Sequence, residues 1–175
     1  ISRIKAWNDT AISYPENETL LSKFETQVLK TPNQIALIYQ ETSLTYKELN
    51  EKSNQVANFL IQKGFQKNDI VAVSFDRSLE MIIYIYGIVK AGAAYLPVDT
   101  SIPSERLKFI LKDAHVKILF YNHKNIDASI LNTFNCLDVE TIKQQVSFLN
   151  VTSNSIKILP DDLAYIIYTS GSTGE

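Results

Sequence analysis

The chain is poor in reactive and metal-binding side chains: its 175 residues include one cysteine, one methionine, one tryptophan and two histidines. The single thiol, Cys136, cannot close an internal disulfide. It also lacks the clustered cysteine and histidine neighbours of a metal site, so it reads as a small apolar core residue in a chain suited to a reducing, cytoplasmic setting. His115 and His123 stand alone, with no serine or aspartate partner at a diagnostic spacing, which gives a hydrolase triad no support. Charge of one sign never accumulates. Seventeen basic and nineteen acidic residues leave a net charge of −2, and no tail or run offers a footprint for nucleic acid or an anionic membrane. Long apolar runs are missing too. The most apolar stretch, Met81 to Ala94, contains Lys90 and falls short of the roughly twenty residues a membrane span requires, so it reads as a buried helix. The opening Ile1 to Trp7 has no signal-peptide core and does not start with methionine. The last residue, Glu175, stands directly behind the chain's one glycine-rich segment. Both ends are therefore expected to lie inside a longer protein.

What the chain does have is enough apolar residues, 45%, to bury a core of its own. Trp7 to Asn17 shows no helical or alternating period and is rich in turn formers, as a linker would be. From Thr19, a plausible N-cap, Leu20, Leu21, Phe24, Val28 and Leu29 recur at helical spacing until Pro32 forbids continuation. Gln34 to Tyr39 reads as a strand that turns back at Gln40 to Ser43 in a hairpin. Thr45-Tyr-Lys-Glu48 matches a capping box that starts a helix at Tyr46, and Gly64 ends that helix. Ile70 to Phe75 is a nearly continuous apolar strand of the kind found in parallel sheets covered on both faces. A helix follows over 79–91, closed by Gly92, and then an extended piece over 95–99. Pro103 stands at the start of a helix running to Asp113, and Lys117 to Tyr121 is the next strand. Between Asn122 and Asn154 the signal weakens to short strands and one short helix around Thr141 to Phe148. Leu163 to Tyr168 is the last strand. The alternation predicts an α/β fold with a mostly parallel sheet layered with helices.

Glycine is scarce as well, five residues in all. Two of them fall in Thr169-Ser-Gly-Ser-Thr-Gly174, directly after an apolar strand and among four hydroxyl side chains. Glycines let successive amides point into one concavity, and serine and threonine hydroxyls add neutral donors for phosphate oxygens. The spacing is not that of a P-loop, because the four-residue gap and the Lys-Ser/Thr pair are both missing. From the residues alone, a phosphate or carboxylate site and an ordinary Ser/Gly surface loop both remain open.

Leu163-Ala-Tyr-Ile-Ile-Tyr-Thr-Ser-Gly-Ser-Thr-Gly174 closely resembles the phosphate-loop motif of adenylate-forming enzymes. Leu44-Thr-Tyr-Lys-Glu-Leu49 and Val89-Lys-Ala-Gly-Ala-Ala-Tyr-Leu-Pro-Val-Asp99 resemble the first two core motifs of peptide-synthetase adenylation domains, in the right order. Pro103-Ser-Glu-Arg-Leu107 resembles the stretch that trails the second. Trp7-Asn-Asp-Thr10 and Tyr14-Pro15 are similar to the linker behind a condensation domain. The resemblance implies a linker over 1–17 and the N-terminal part of a non-ribosomal peptide synthetase adenylation domain over 18–175.

It implies activation of an amino acid as aminoacyl-AMP, with ATP and Mg2+ as cofactors and pyrophosphate as product. The aminoacyl group would then pass to the phosphopantetheine of a carrier domain. Thr169, Ser170, Gly171, Ser172, Thr173 and Gly174 would cradle the β- and γ-phosphates. The catalytic residues are expected beyond Glu175, so this piece alone is expected to be inactive. Expected partners are the remainder of the adenylation domain and the adjacent condensation and carrier domains, with no nucleic acid or membrane. Two other readings stand beside this one: a stand-alone acyl- or aryl-CoA ligase, which shares the phosphate loop, and a non-enzymatic structural or interaction subdomain.

Overall fold

The computed structural model describes residues 7–13, 15–99, 101–122, 126–154 and 156–169. Tyr14 of the expected linker and His123 lie outside the described residues. Helix α1 (Leu20–Lys30) opens on a reciprocal cap. Thr19 Oγ1 accepts the Ser22 N–H at 3.0 Å, and the Thr19 N–H donates to Ser22 Oγ at 2.8 Å, so two amides left without helical partners are satisfied together. Strands β1 (Ile35–Tyr39) and β2 (Thr42–Thr45) form an antiparallel hairpin, turned at Gln40 with φ +51°. The second capping box is present as the sequence predicts. Glu48 N–H donates to Thr45 Oγ1 at 3.2 Å, while the Thr45 N–H and hydroxyl both donate to Glu48 Oε2 at 2.8 Å. These bonds favour the ionised form and hold the Glu48 carboxyl below its ordinary range. Helix α2 (Tyr46–Gln62) runs from this cap to Lys63, and Gly64, at φ +82°, turns the chain out of it.

The remaining elements alternate. Strand β3 (Ile70–Ser74) leads to α3 (Leu79–Lys90) and β4 (Ala94–Pro97), and α4 (Ser104–Asp113) leads to β5 (Val116–Tyr121). The stretch with the weakest sequence signal holds α5 (Ala128–Leu131), β6 (Cys136–Asp138) and α6 (Val139–Ser147). Each of these is short, so none carries enough repeats of its own period to stand out. The four strands from β3 onward form one sheet in the order β4-β3-β5-β6, every pair parallel.

Pleating explains why this sheet needs cover on both faces. On β3, Val71 and Val73 join Val56, Leu60, Ile88 and Phe120 under α2 and α3. Ile70 and Ala72 point the other way, to Leu96, Leu107, Leu111, Leu119 and Ile130 beside α4 and α5. The result is a three-layer α/β/α arrangement in which β3 is buried at every position. Tyr84 lies in the first of these cores, with its ring edge-on to Phe120 at 5.0 Å, and Tyr86 and Tyr95 pack against it. Cys136 is partly buried in the second core. Among the described residues no helix is long and apolar enough to cross a membrane.

The tightest seam lies between α2 and α3. A Cβ on Gly87 would sit 2.5 Å from Val56 Cβ and 3.1 Å from the Ser53 carbonyl oxygen, so the two helices approach at a distance that only glycine permits. Gly87→Ala is expected to destabilise the chain by about 1 to 3 kcal/mol through overpacking. Denaturant unfolding of the full chain checks this, and the effect should be largely relieved by a compensating Val56→Ala.

Candidate functional site

The expected final strand is present in reduced form. Residues 161–169 alternate between exposed and half-buried positions, and the segment lies parallel to β4 through a single bridge, Tyr95 to Tyr165. The Tyr95 N–H donates to the Ala164 carbonyl at 3.1 Å, and the Ile166 N–H to the Tyr95 carbonyl at 3.0 Å. Ile166 and Tyr168 turn inward onto the core shared with α4. Leu163, Tyr165 and Ile167 face out, 43%, 52% and 60% exposed. The difference from a full strand is physical: β4 has only four residues to pair with.

This placement fixes where the chain leaves the sheet. Tyr165 stands opposite Tyr95, so Thr169 emerges at the level of Asp99, just beyond the end of β4 at Pro97. Ligands in open parallel sheets collect at this carboxyl edge. Thr169 is exposed there. The other residues expected to cradle phosphate, Ser170, Gly171, Ser172, Thr173 and Gly174, lie outside the described residues. A cleft of about 310 Å3 opens on the same edge, lined by Val73, Phe75, Met81, Ile85, Pro97 and Asp99. Its walls are apolar apart from Asp99, so its side chains offer an anion no donor.

The other two motifs are structural. Thr45 and Glu48 cap α2, as described above, and Gly92, at φ +77°, turns the chain from α3 into β4. Lys90 in the second motif has a role that the sequence pattern does not signal. It is only 3% exposed, and its Nζ donates to Asn50 Oδ1 and Asn54 Oδ1, each at 2.6 Å, and to the Asn50 carbonyl at 3.2 Å. It also lies 5.3 Å above the Phe24 ring. No spacing rule would find it, because the acceptors are two asparagines on another helix.

These asparagines belong to a row of amides on α2 that holds the chain on its way to the candidate loop. With Oδ1 engaged by Lys90, the Asn54 amide donates to the Val151 carbonyl at 2.7 Å. Gln55 reaches the Ser147 carbonyl at 2.7 Å, and Asn58 the Asn150 carbonyl at 2.8 Å. Asn154 in turn donates to the Lys90 carbonyl at 3.1 Å. Farther along, Lys67 pairs with Asp162 at 2.8 Å. The Leu159 amide and this lysine together hold the Asp162 carboxyl below its ordinary range.

Comparison with known proteins places this architecture. The model of the AMP-binding enzyme family matches residues 24–175. The chain belongs to that family. It is 42% identical over 178 aligned residues to a mycosubtilin synthase of Bacillus subtilis, covering 100% of this chain and 7% of that protein. It is 43% identical over 171 residues to bacitracin synthase 3 of Bacillus licheniformis, covering 97% of this chain and 3% of that protein. The chain therefore spans only a small part of the length of these synthases. Among solved structures it resembles the nonribosomal peptide synthetase FmoA3, with a TM-score of 0.80 and 29% identity over 95% of this chain and 18% of that one. The AMPPNP-bound form of FmoA3 gives a TM-score of 0.79 and 30% identity over 93% of this chain and 17% of that one. The fold is that of the N-terminal region of adenylate-forming enzymes.

Burial pushes the Lys90 ammonium down from 10.5 to about 8, against a smaller opposing pull from Glu25. Between those values the unfolded chain binds the proton that the folded chain has released, so folding is favoured as pH rises. Wild type is therefore expected to gain about 2 kcal/mol relative to Lys90→Met between pH 8 and 10. Denaturant titrations of both proteins across that range check it, and parallel pH profiles would contradict it.

Proposed function

We propose that this chain is the front part of an amino-acid adenylation domain in a non-ribosomal peptide synthetase. The observation that carries the reading is the position of Thr169, the first residue of the hydroxyl- and glycine-rich segment, at the carboxyl edge of a parallel sheet, within a chain of the AMP-binding family. Thr169, Ser170, Gly171, Ser172, Thr173 and Gly174 bind the β- and γ-phosphates of ATP. They orient the triphosphate so that an amino-acid carboxylate attacks the α-phosphorus and pyrophosphate leaves. Neutral hydroxyls and backbone amides suit this task because phosphoryl chemistry depends mainly on positioning and charge stabilisation. AMPPNP bound to the similar FmoA3 supports ATP as the nucleotide.

Among the described residues no group of three His, Cys, Asp or Glu side chains converges to hold a metal. In this reading Mg2+ would come with ATP and would neutralise phosphate charge. Residues 1–17 act as the linker from a preceding condensation domain. The activated amino acid passes to the phosphopantetheine thiol of a carrier domain, and the names of the two synthases support a role in antibiotic or other secondary-metabolite biosynthesis.

Exchange of labelled pyrophosphate into ATP, run on the longer protein that carries these residues together with the rest of the adenylation domain, against amino acids and simple carboxylic acids, tests the reading. Exchange driven by one or a few amino acids is expected. Exchange driven only by fatty or aryl acids would move the chain to the CoA ligases, and no exchange with any acid would leave a structural domain. Gly171→Val, which adds bulk where phosphate must approach and disfavours positive φ, is expected to lower kcat/KM for ATP by about a hundredfold.

A further inference from the structure

Thr169 follows directly on Tyr168, and Tyr168 is tied to a helix remote in sequence. Main-chain bonds to β4 hold Ala164 and Ile166. Tyr168 adds a side-chain anchor nearer the loop. Its ring packs against the core that includes Leu107 and Leu111, and its hydroxyl donates to Asp113 Oδ2 at 2.5 Å, fifty-five residues away in sequence.

Asp113 is the last residue of α4. An acidic side chain is a poor local choice there, because the carbonyl end of a helix favours cations. Helix propensity and capping do not explain it; a hydroxyl donor arriving from another element does. The turn behind Asp113 is braced. The Ala114 and His115 amides donate back to the Ile110 and Lys112 carbonyls at 3.0 Å. His115 holds the left-handed conformation, φ +53°, with its Nδ1 2.8 Å from the Asp113 carbonyl, a contact that places the ring proton on Nδ1. The backbone that carries Asp113 is thus held in place, and its exposed carboxylate reaches Tyr168 from a braced helix end.

We propose that the Tyr168–Asp113 hydrogen bond is a latch that positions the phosphate loop for ATP, with both residues acting through the loop rather than touching the nucleotide. The inference rests on the adenylation reading. Burial, together with the hydrogen bond to Asp113 and its charge, pushes the Tyr168 hydroxyl up to about 12, so it stays a donor across the working pH range. Residues that hold a site's geometry from behind its contact residues act in this way.

The test uses the longer protein that carries these residues together with the rest of the adenylation domain, with Tyr168→Phe, Asp113→Leu, Asp113→Asn and the double variant Tyr168→Phe/Asp113→Leu. Pyrophosphate exchange gives KM for ATP and for the amino acid separately. Amide hydrogen exchange over 166–175 reports the loop's order without reference to activity. Tyr168→Phe and Asp113→Leu are each expected to raise KM for ATP about fivefold and to speed amide exchange over 166–175 alone, with KM for the amino acid unchanged. Asp113→Asn, which keeps an acceptor, should restore wild-type behaviour, and the double variant should be no worse than either single one.

Unchanged ATP KM and unchanged amide exchange in both single variants would overturn the latch, as would equal rises in both KM values that track a lowered Tm. A wild type that exchanges pyrophosphate with no acid would refute the adenylation reading instead. The amide-exchange arm would then still decide whether the hydroxyl and the carboxylate hold the loop.

Discussion

The close approach of α2 and α3 at Gly87 is the constraint on which the rest of this molecule depends. Val56 and Ser53 occupy the space a side chain at Gly87 would need, and that proximity brings Lys90, one turn further along α3, within reach of Asn50 and Asn54. A buried ammonium without acceptors would be strongly destabilising. Here it is held by three oxygen acceptors and an aromatic face. The seam therefore joins an apolar contact to a polar one, and a shift of either helix would disturb both.

The consequence reaches the candidate site through covalent continuity. Lys90 engages one side of the Asn54 amide, so the other side is turned toward Val151. Gln55 and Asn58 add their own bonds to the same stretch. Later anchors at Asp162, Ala164, Ile166 and Tyr168 carry the chain across the sheet edge to Thr169. Most of these tethers are side-chain bonds to backbone or to another side chain, because a segment with one bridge to a four-residue strand has little ladder of its own. A segment that must present hydrogen-bond donors to a ligand would gain from such support, since misplaced donors lose much of their electrostatic effect.

Much of the fold was legible because local physics agreed with the tertiary outcome. Thr19 and Thr45 each cap a helix by bonds within four residues, and Gly64 and Gly92 supply the left-handed turns that end helices. The unbroken apolar run at Ile70 marked a strand covered on both faces. The candidate site was legible only as a composition, glycines and hydroxyls after an apolar strand, and as a resemblance. Its supports were not. Lys90 reads as the one charge in an apolar run from Met81 to Ala94, and no local pattern joins Asp113 to Tyr168.

By itself, then, the sequence determined the order and type of most elements and the parallel layering, and it singled out one candidate segment for the chemistry. Those follow from periodicity, caps and turn residues within a few positions of one another. Tertiary structure decided what cannot be encoded at short range: which carboxylate meets which hydroxyl, and which amides hold the 147–154 stretch. It also decided that the last strand is reduced to one bridge, with Tyr165 and Ile167 turned outward. The physical reason is that these bonds join residues between thirty-six and ninety-seven positions apart, and their partners are selected by the packing of helices on a sheet rather than by any local pattern.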